Sequence, residues 1–200
     1  MEYRAVGNRC AVDLSTLNLP ITQIEALSIL ENKGFNKIDI DVVQESYNLI
    51  GNAIYQRGAK PSQAPKIVDC SSFVKWIYSR RGIWLPRRSI QQRDLGEHIE
   101  INDIQSGDVV FISGYIDYYN NDPNDGVGHV GIATGKDTII HAANKNVHVV
   151  ESTLAALIGN NLRDVRRYMP TESEVIIFET PVEREVEISD DIRWIVLQSL

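Results

Sequence analysis

The chain predicts an α+β fold in which N-terminal helices pack on a small antiparallel β-sheet. Helical periodicity appears over about residues 22–58 and 70–82, and period-two alternation between clusters of turn residues takes over after Pro86. Composition agrees. Over 200 residues, 43% are hydrophobic and 24% charged, which excludes a fully disordered chain. A chain of this length buries a core without disulfide or metal staples.

Residues 1–20 show no clear period and read as loop. Thr22-x-x-Glu25 has the form of a capping box, followed by Ile24, Leu27, Ile29 and Leu30 at roughly helical spacing and by Gly34 as a stop. Asp39 is placed to cap a second helix, with Val42, Val43, Tyr47, Ile50 and Ile54 on one face and Gly58 near its end. Pro61 and Pro65 make residues 59–67 a loop. Asp69 then precedes a helix over 70–82, with Phe73, Val74, Ile77 and Tyr78 as one stripe. Arg80 and Arg81 suit the negative end of its dipole, and Gly82 suits the stop. Strands are predicted at 108–112, 128–134, 138–143 and 147–150, with a last one at 163–169.

The formal net charge is −7, from 20 basic and 27 acidic residues, and nothing in that balance suits a phosphate backbone or an anionic membrane. No apolar run approaches the ~20 residues of a membrane helix. The first residues lack the basic start and apolar stretch of a signal peptide, so a cytoplasmic protein is expected unless another route delivers it. Eight acids and two bases lie between Thr171 and Leu200, nearly all of the net charge. This marks a boundary near Pro170, with an acidic extension beyond it that either packs on its own domain or docks a protein partner. Val175–Phe178 and Ile195–Leu197 are apolar islands within it.

Two cysteines make neither a disulfide framework nor a four-cysteine zinc site. Cys70 falls in the first turn of its helix, behind the capping Asp69. There the free amides and the dipole favour an anion, so a thiolate of lowered pKa is expected. Cys10 has neither cap nor following helix and reads as a small buried apolar side chain. A thiol nucleophile needs a base. His129 lies in Gly-His-Val-Gly-Ile and His141 in Ile-Ile-His-Ala, on either side of a turn at Gly135-Lys136-Asp137. Both numbers are odd. A three-residue loop gives pairs whose numbers sum to an even value, so both imidazoles share a face, with Gly131, Ala133 and Ala143 leaving room beside them. A two-residue loop would separate them. The roles that follow are Cys70 as nucleophile, His129 as general base and acid, and His141 as the group that fixes the tautomer of His129.

Five blocks in order, Asp69-Cys70-Ser71-Ser72-Phe73-Val74, Leu85-Pro86-Arg87-Arg88-Ser89, Gly107–Phe111, Gly128–Ile132 and Ile140-His141-Ala142, resemble the NlpC-type cell-wall peptidase family over about residues 50–168. The resemblance implies a papain-like fold and a Cys-His-His triad on Cys70, His129 and His141, with no cofactor and no metal. The activity it implies is cysteine endopeptidase cleavage of peptidoglycan stem peptides, at the bond between γ-D-glutamate and a diamino acid. The partner it implies is therefore a stem peptide or muropeptide. Asp69 and Ser71 resemble family positions that contact the substrate's amino end, and Tyr55 resembles an active-site tyrosine upstream of the nucleophile. The division read from the sequence is a helical extension over 1–49, the peptidase domain over 50–170 and the acidic extension over 171–200. Two departures stand out: Ser72 replaces a glycine common in the family, and the loop from Tyr115 to Gly126 is long enough to wall or gate a cleft.

Other readings of the same residues remain open here. Cys70, His129 and His141 have the ligand types of a zinc site. The triad also suits an amidase or acyltransferase acting on another acyl group, and a non-catalytic module that binds wall peptide is the third alternative. Gly126-x-Gly128-x-x-Gly131 spells a dinucleotide fingerprint but lies within a strand pattern, so it is set aside. Arg87-Arg88 is read as a surface or structural pair rather than a carboxylate clamp.

Overall fold

A computed structural model describes residues 2–114, 126–169 and 175–200. In chain order the elements are β1 (Arg9–Asp13), α1 (Gln23–Asn32), β2 (Asn36–Ile38), α2 (Val42–Tyr47), β3 (Ile54–Tyr55), β4 (Ile67–Val68) and α3 (Cys70–Arg80). They continue as α4 (Ser89–Arg93), β5 (Glu97–His98), β6 (Val109–Ser113), β7 (Val127–Ala133), β8 (Thr138–Asn144) and β9 (His148–Thr153). The last are α5 (Leu154–Ile158), β10 (Leu162–Arg167), β11 (Val175–Glu179) and α6 (Ser189–Leu197). The mixture of helices with an antiparallel sheet is the predicted α+β class. None of the described helices is long and apolar enough to cross a membrane.

The chain divides into two compact units. The first comprises Asp41–Ile77 and Leu85–Tyr168. Its six-stranded sheet has the order β5-β10-β6-β7-β8-β9, every neighbouring pair antiparallel. Val110, Ile112, Ala133, Ile139 and Val165 form a buried cluster in that sheet. Five of these strands coincide with the runs predicted by alternation to within a few residues, and β5 is not among them. In α3 the predicted stripe is buried, with Phe73, Val74 and Ile77 wholly out of solvent.

The second helix is shorter than its pattern implies. Asp41, not Asp39, caps it, its Oδ1 accepting from the Val43 and Gln44 amides at 2.8 and 3.1 Å. It ends at Tyr47, and Gly51 then takes a φ of 76° that no right-handed helix continues through. Ile54 and Tyr55, placed on the helix or its end by periodicity, form instead a two-residue strand paired with β4 in parallel.

The second unit comprises Glu2–Ile40, Tyr78–Trp84 and Met169–Leu200. Residues 2–40 and 175–200, read from the sequence as parts of two separate extensions, fall in one unit. Its sheet has the order β1-β11-β2, so Val175–Glu179 of the acidic segment is the central strand. Val12, Leu30, Phe35, Phe178, Ile192 and Val196 build its core, with the Phe35 and Phe178 rings edge to face at 6.0 Å. The capping box of α1 forms as predicted, with Glu25 N–H donating to Thr22 Oγ1 at 3.2 Å and Thr22 N–H to Glu25 Oε2 at 2.9 Å.

One buried charge pair ties the sheet of the first unit to the turn before β6. Asp108 is 1% exposed, and its two carboxylate oxygens accept from Arg167 Nε and Nη2 at 2.8 and 2.7 Å. Oδ2 also accepts the Gln105 amide at 2.7 Å. Removing one member of such a pair leaves the other charge desolvated without its counterion. Asp108→Ala is expected to lower stability by about 3 kcal/mol, read as an earlier midpoint in urea unfolding, whereas an exposed acid such as Glu100→Ala should leave the midpoint nearly unchanged.

Candidate functional site

The site is built from the start of α3 and the β7–β8 hairpin. Asp69 caps α3, its Oδ1 accepting the Ser72 amide at 2.9 Å, while Ser72 Oγ accepts the Asp69 amide at 2.8 Å. The exchange is a capping box with serine in the third helical position, which gives Ser72 a structural role that glycine could not supply. Cys70 is thereby held in the first turn, where the backbone amides of Ser71 and of Val130 in β7 are near enough to favour its thiolate. The thiol therefore lies against the residue next to His129.

The hairpin has a three-residue loop. Thr134 N–H donates to the Thr138 carbonyl at 3.0 Å, leaving Gly135, Lys136 and Asp137 between them. Ile132 pairs with Ile140 and Ala133 with Ile139, the even-sum register. His129 and His141 consequently meet: His129 Nε2 lies 2.7 Å from His141 Nδ1, and the rings cross edge to face with centroids 4.9 Å apart. The other nitrogen of His141, Nε2, lies 3.0 Å from Ser152 Oγ on β9. Because His129 Nε2 is engaged by His141, Nδ1 is its remaining ring nitrogen. As ligands for a metal the two rings are poorly disposed, since the nitrogens that face each other are hydrogen-bonded. Among the described residues no group of three His, Cys, Asp or Glu side chains has the arrangement of a metal site.

Burial sets the electrostatics. The Cys70 thiol is pushed up to about 12, first by desolvation and then by the Asp69 carboxylate. The Ser71 and Val130 amides and Arg87 pull the other way without offsetting them. The sequence expectation of a lowered thiol pKa is thus reversed: the helix start favours the anion, but loss of water costs more. His129 is held down at about 3 by desolvation and by His141, and His141 at about 4 by desolvation.

Asp69 and Ser71, expected to bind substrate, are 7% and 6% exposed and fully engaged. Arg87 grips Asp69 with both terminal nitrogens, at 3.1 Å to Oδ1 and 2.5 Å to Oδ2, and donates to Ser71 Oγ at 2.8 Å and to the Ala59 carbonyl at 2.6 Å. The Gly58 amide adds a further bond to Asp69 Oδ2 at 3.0 Å. Arg87 is therefore a structural partner of an internal carboxylate. Tyr55 lies near this group: its phenol is raised first by burial and then by the neighbouring Cys70 and Asp69.

Sequence reasoning passed over three contributors. Gln92, wholly buried, donates to the Ser71 and Pro86 carbonyls at 2.9 Å each and holds the turn beside the thiol. His148 Nδ1 accepts the Tyr55 amide at 3.1 Å from a backbone with φ of 60°, a conformation few non-glycine residues adopt. Ser152 completes the histidine chain. None stands in a local pattern that marks it; each is defined by a partner 11 or more residues away. The expected gating loop, Tyr115 to Gly126, lies outside the described residues except for Gly126.

Comparison with known proteins matches residues 52–167 to the family model described as the NlpC/P60 family. The gamma-DL-glutamyl hydrolase of Bacillus subtilis strain 168 is 29% identical over 143 residues, 69% of this chain and 32% of that protein. A Corynebacterium glutamicum protein named "Probable endopeptidase" is 36% identical over 90 residues, 45% of this chain and 38% of that protein. The chain thus spans about a third of the length of these relatives. Among solved structures, an NlpC/P60 family protein from Bacillus cereus ATCC 10987 superposes with a TM-score of 0.56 at 25% identity, covering 65% of this chain and 40% of that one.

The close approach of the two histidines depends on Gly131. A Cβ there would lie 2.9 Å from His141 Cβ and 2.9 Å from the Ile139 side chain. Gly131→Ala is expected to cost about 1–3 kcal/mol, seen as a lower Tm, and to move the His141 ring resonances in an NMR spectrum.

Proposed function

Because the chain belongs to the NlpC/P60 family, we propose that it is a cysteine endopeptidase that hydrolyses stem peptides of bacterial peptidoglycan between γ-D-glutamate and a diamino acid. Cys70 is the nucleophile, His129 the general base and acid, and His141 the orienting group. The observation that carries this reading is the 2.7 Å bond between His129 Nε2 and His141 Nδ1 beside a thiol in contact with the Val130 backbone. That bond leaves His129 Nδ1 as the nitrogen available for a thiol proton. The glutamyl bond is supported by the name of the Bacillus subtilis relative, a gamma-DL-glutamyl hydrolase.

In the proposed sequence the Cys70 proton passes to His129 Nδ1 as sulfur attacks the scissile carbonyl. The oxyanion forms beside the backbone amides in the first turn of α3. Collapse of the tetrahedral adduct breaks the C–N bond, and the amine leaves with the proton from Nδ1. Water then gives a proton to Nδ1 and its oxygen to the acyl carbon, and the thiol regains its hydrogen as the acid departs. Thiol and imidazole both begin uncharged, because desolvation disfavours either charge alone. The Tyr55 phenol, near Cys70 and Asp69, is positioned to contact the substrate.

Defined muropeptides incubated with the protein, with products weighed by mass spectrometry, test the assignment. Cleavage at the γ-D-glutamyl bond supports it. Cleavage at a different acyl bond replaces it with the amidase reading, and no cleavage by the wild-type protein overturns it. Cys70→Ala should lose about 10⁴-fold or more in kcat with its fold intact, and His129→Ala a similar amount, since members of one catalytic unit are not additive. His141→Asn should lose less, because an amide still orients the ring.

The acid limb of kcat/KM carries a further expectation. His129 acts as a base only when neutral. Its pKa is lowered from the ordinary 6.5 to about 3, so the neutral form persists to lower pH and activity is lost as pH falls through the lowered value. The acid limb should therefore lie well below 6.5.

A further inference from the structure

The hydrogen-bond chain does not end at the second histidine. Ser152 pairs with Ile139 across β8 and β9, one pleat along the same face from His141, and its Oγ lies 3.0 Å from His141 Nε2. We propose that Ser152 is a positioning residue of this site: its hydroxyl holds the far nitrogen of His141, so that the ring presents Nδ1 to His129 Nε2. The inference rests on the assignment of Cys70, His129 and His141 as the catalytic group.

The protons give the chain its direction. His129 can take a proton on Nδ1 only if its own proton sits on Nε2. That Nε2–H then donates to His141 Nδ1 across 2.7 Å. His141 Nδ1 must accordingly carry a lone pair, and the His141 proton must sit on Nε2, where Ser152 Oγ accepts it. A hydroxyl accepts this bond without bringing a charge. A carboxylate in the same place would favour the His141 imidazolium, whose Nδ1–H could no longer accept from His129. With no acceptor at 152, a buried N–H loses its partner and the imidazole loses the contact that sets its rotation about χ2. His141 is 5% exposed, so water is a poor substitute along most of its surface.

Three variants in the full chain separate this role from simple packing. Ser152→Ala removes the hydroxyl. Ser152→Thr keeps it on a residue suited to a strand, and Ser152→Val is the isosteric counterpart without it. Two readouts need no substrate: the ¹⁵N signals of the imidazole nitrogens, which distinguish tautomers, and the rate of Cys70 alkylation by iodoacetamide across pH, followed by peptide mass. In the alanine and valine variants the His129 nitrogen signals should move toward the average of two tautomers, and alkylation near neutral pH should slow by about three- to tenfold. On muropeptide, kcat should fall by a similar factor with KM unchanged. Threonine should restore all three.

Alanine and valine variants that fold, keep the wild-type nitrogen signals and alkylate at the wild-type rate would overturn the proposal, as would a threonine variant as impaired as valine. If the wild-type protein cuts no muropeptide but its histidine signals and alkylation rate respond to position 152 as described, the peptidase reading fails and the positioning role stands.

Discussion

The length of one hairpin loop determines whether this site exists. Gly135, Lys136 and Asp137 span the turn between β7 and β8, with φ of 77° at Gly135 and 56° at Asp137. Three loop residues make paired numbers sum to an even value, and residues 129 and 141 then rise from the same face. One residue more or fewer would turn one imidazole into the core on the other side, where Val130, Ile132 and Ile140 are buried. The left-handed backbone at two of three positions keeps the turn in its register. The same register brings Gly131 beside His141, where only a residue without a Cβ fits.

Asp69 is the second constraint, and it acts in two directions. Its carboxylate caps α3, receives the Gly58 amide and anchors Arg87, which in turn reaches Ser71 and Ala59. Five bonds to one carboxylate connect the loop before β4, the start of α3 and the segment after Pro86. The same negative charge sits next to Cys70 and raises its thiol. Arg87 opposes this, since its guanidinium neutralises Asp69 and itself lowers the thiol. The pair therefore fixes the backbone around Cys70, and Arg87 opposes only part of the electrostatic cost. It also explains why Asp69 and Ser71, for which the family resemblance implies substrate contact, are inward and engaged.

What could be read from the sequence was what neighbours in the chain decide. The capping box at Thr22, the buried stripe of α3 and the even parity of the two histidines all depend on residues within one or two turns or one hairpin, where periodicity and loop length are sufficient. What escaped was set by distant partners. Arg9–Asp13 is a strand because Val175–Glu179 pairs with it from the far end of the chain, and nothing in residues 1–20 marks that. Ile54 follows the helical pattern of Val43 and Tyr47, yet it and Tyr55 pair as a strand with Ile67 and Val68, and Tyr55 gives its amide to His148. The direction of the Cys70 pKa escaped for a different reason. A helix start can be recognised in a string of letters, but the degree to which sheet and loops strip water from that start cannot.

That desolvation shapes how the proposed chemistry must run. Desolvation raises the Cys70 thiol and lowers both imidazoles, so burial favours the uncharged form of each group. Charge separation becomes favourable only when both charges arise together, each stabilising the other in a medium of low dielectric. In the proposed mechanism proton transfer and attack on the carbonyl are one event, and the amides of the helix start act on the charge as it moves from sulfur to the oxyanion. A chain of neutral groups, His129 to His141 to Ser152, suits this better than a carboxylate at its end. A fixed anion there would hold a proton on His141 and turn toward His129 a donor where an acceptor is needed. In the proposed arrangement the hydroxyl lets His141 stay neutral, and the basicity of His129 is kept for the proton on sulfur.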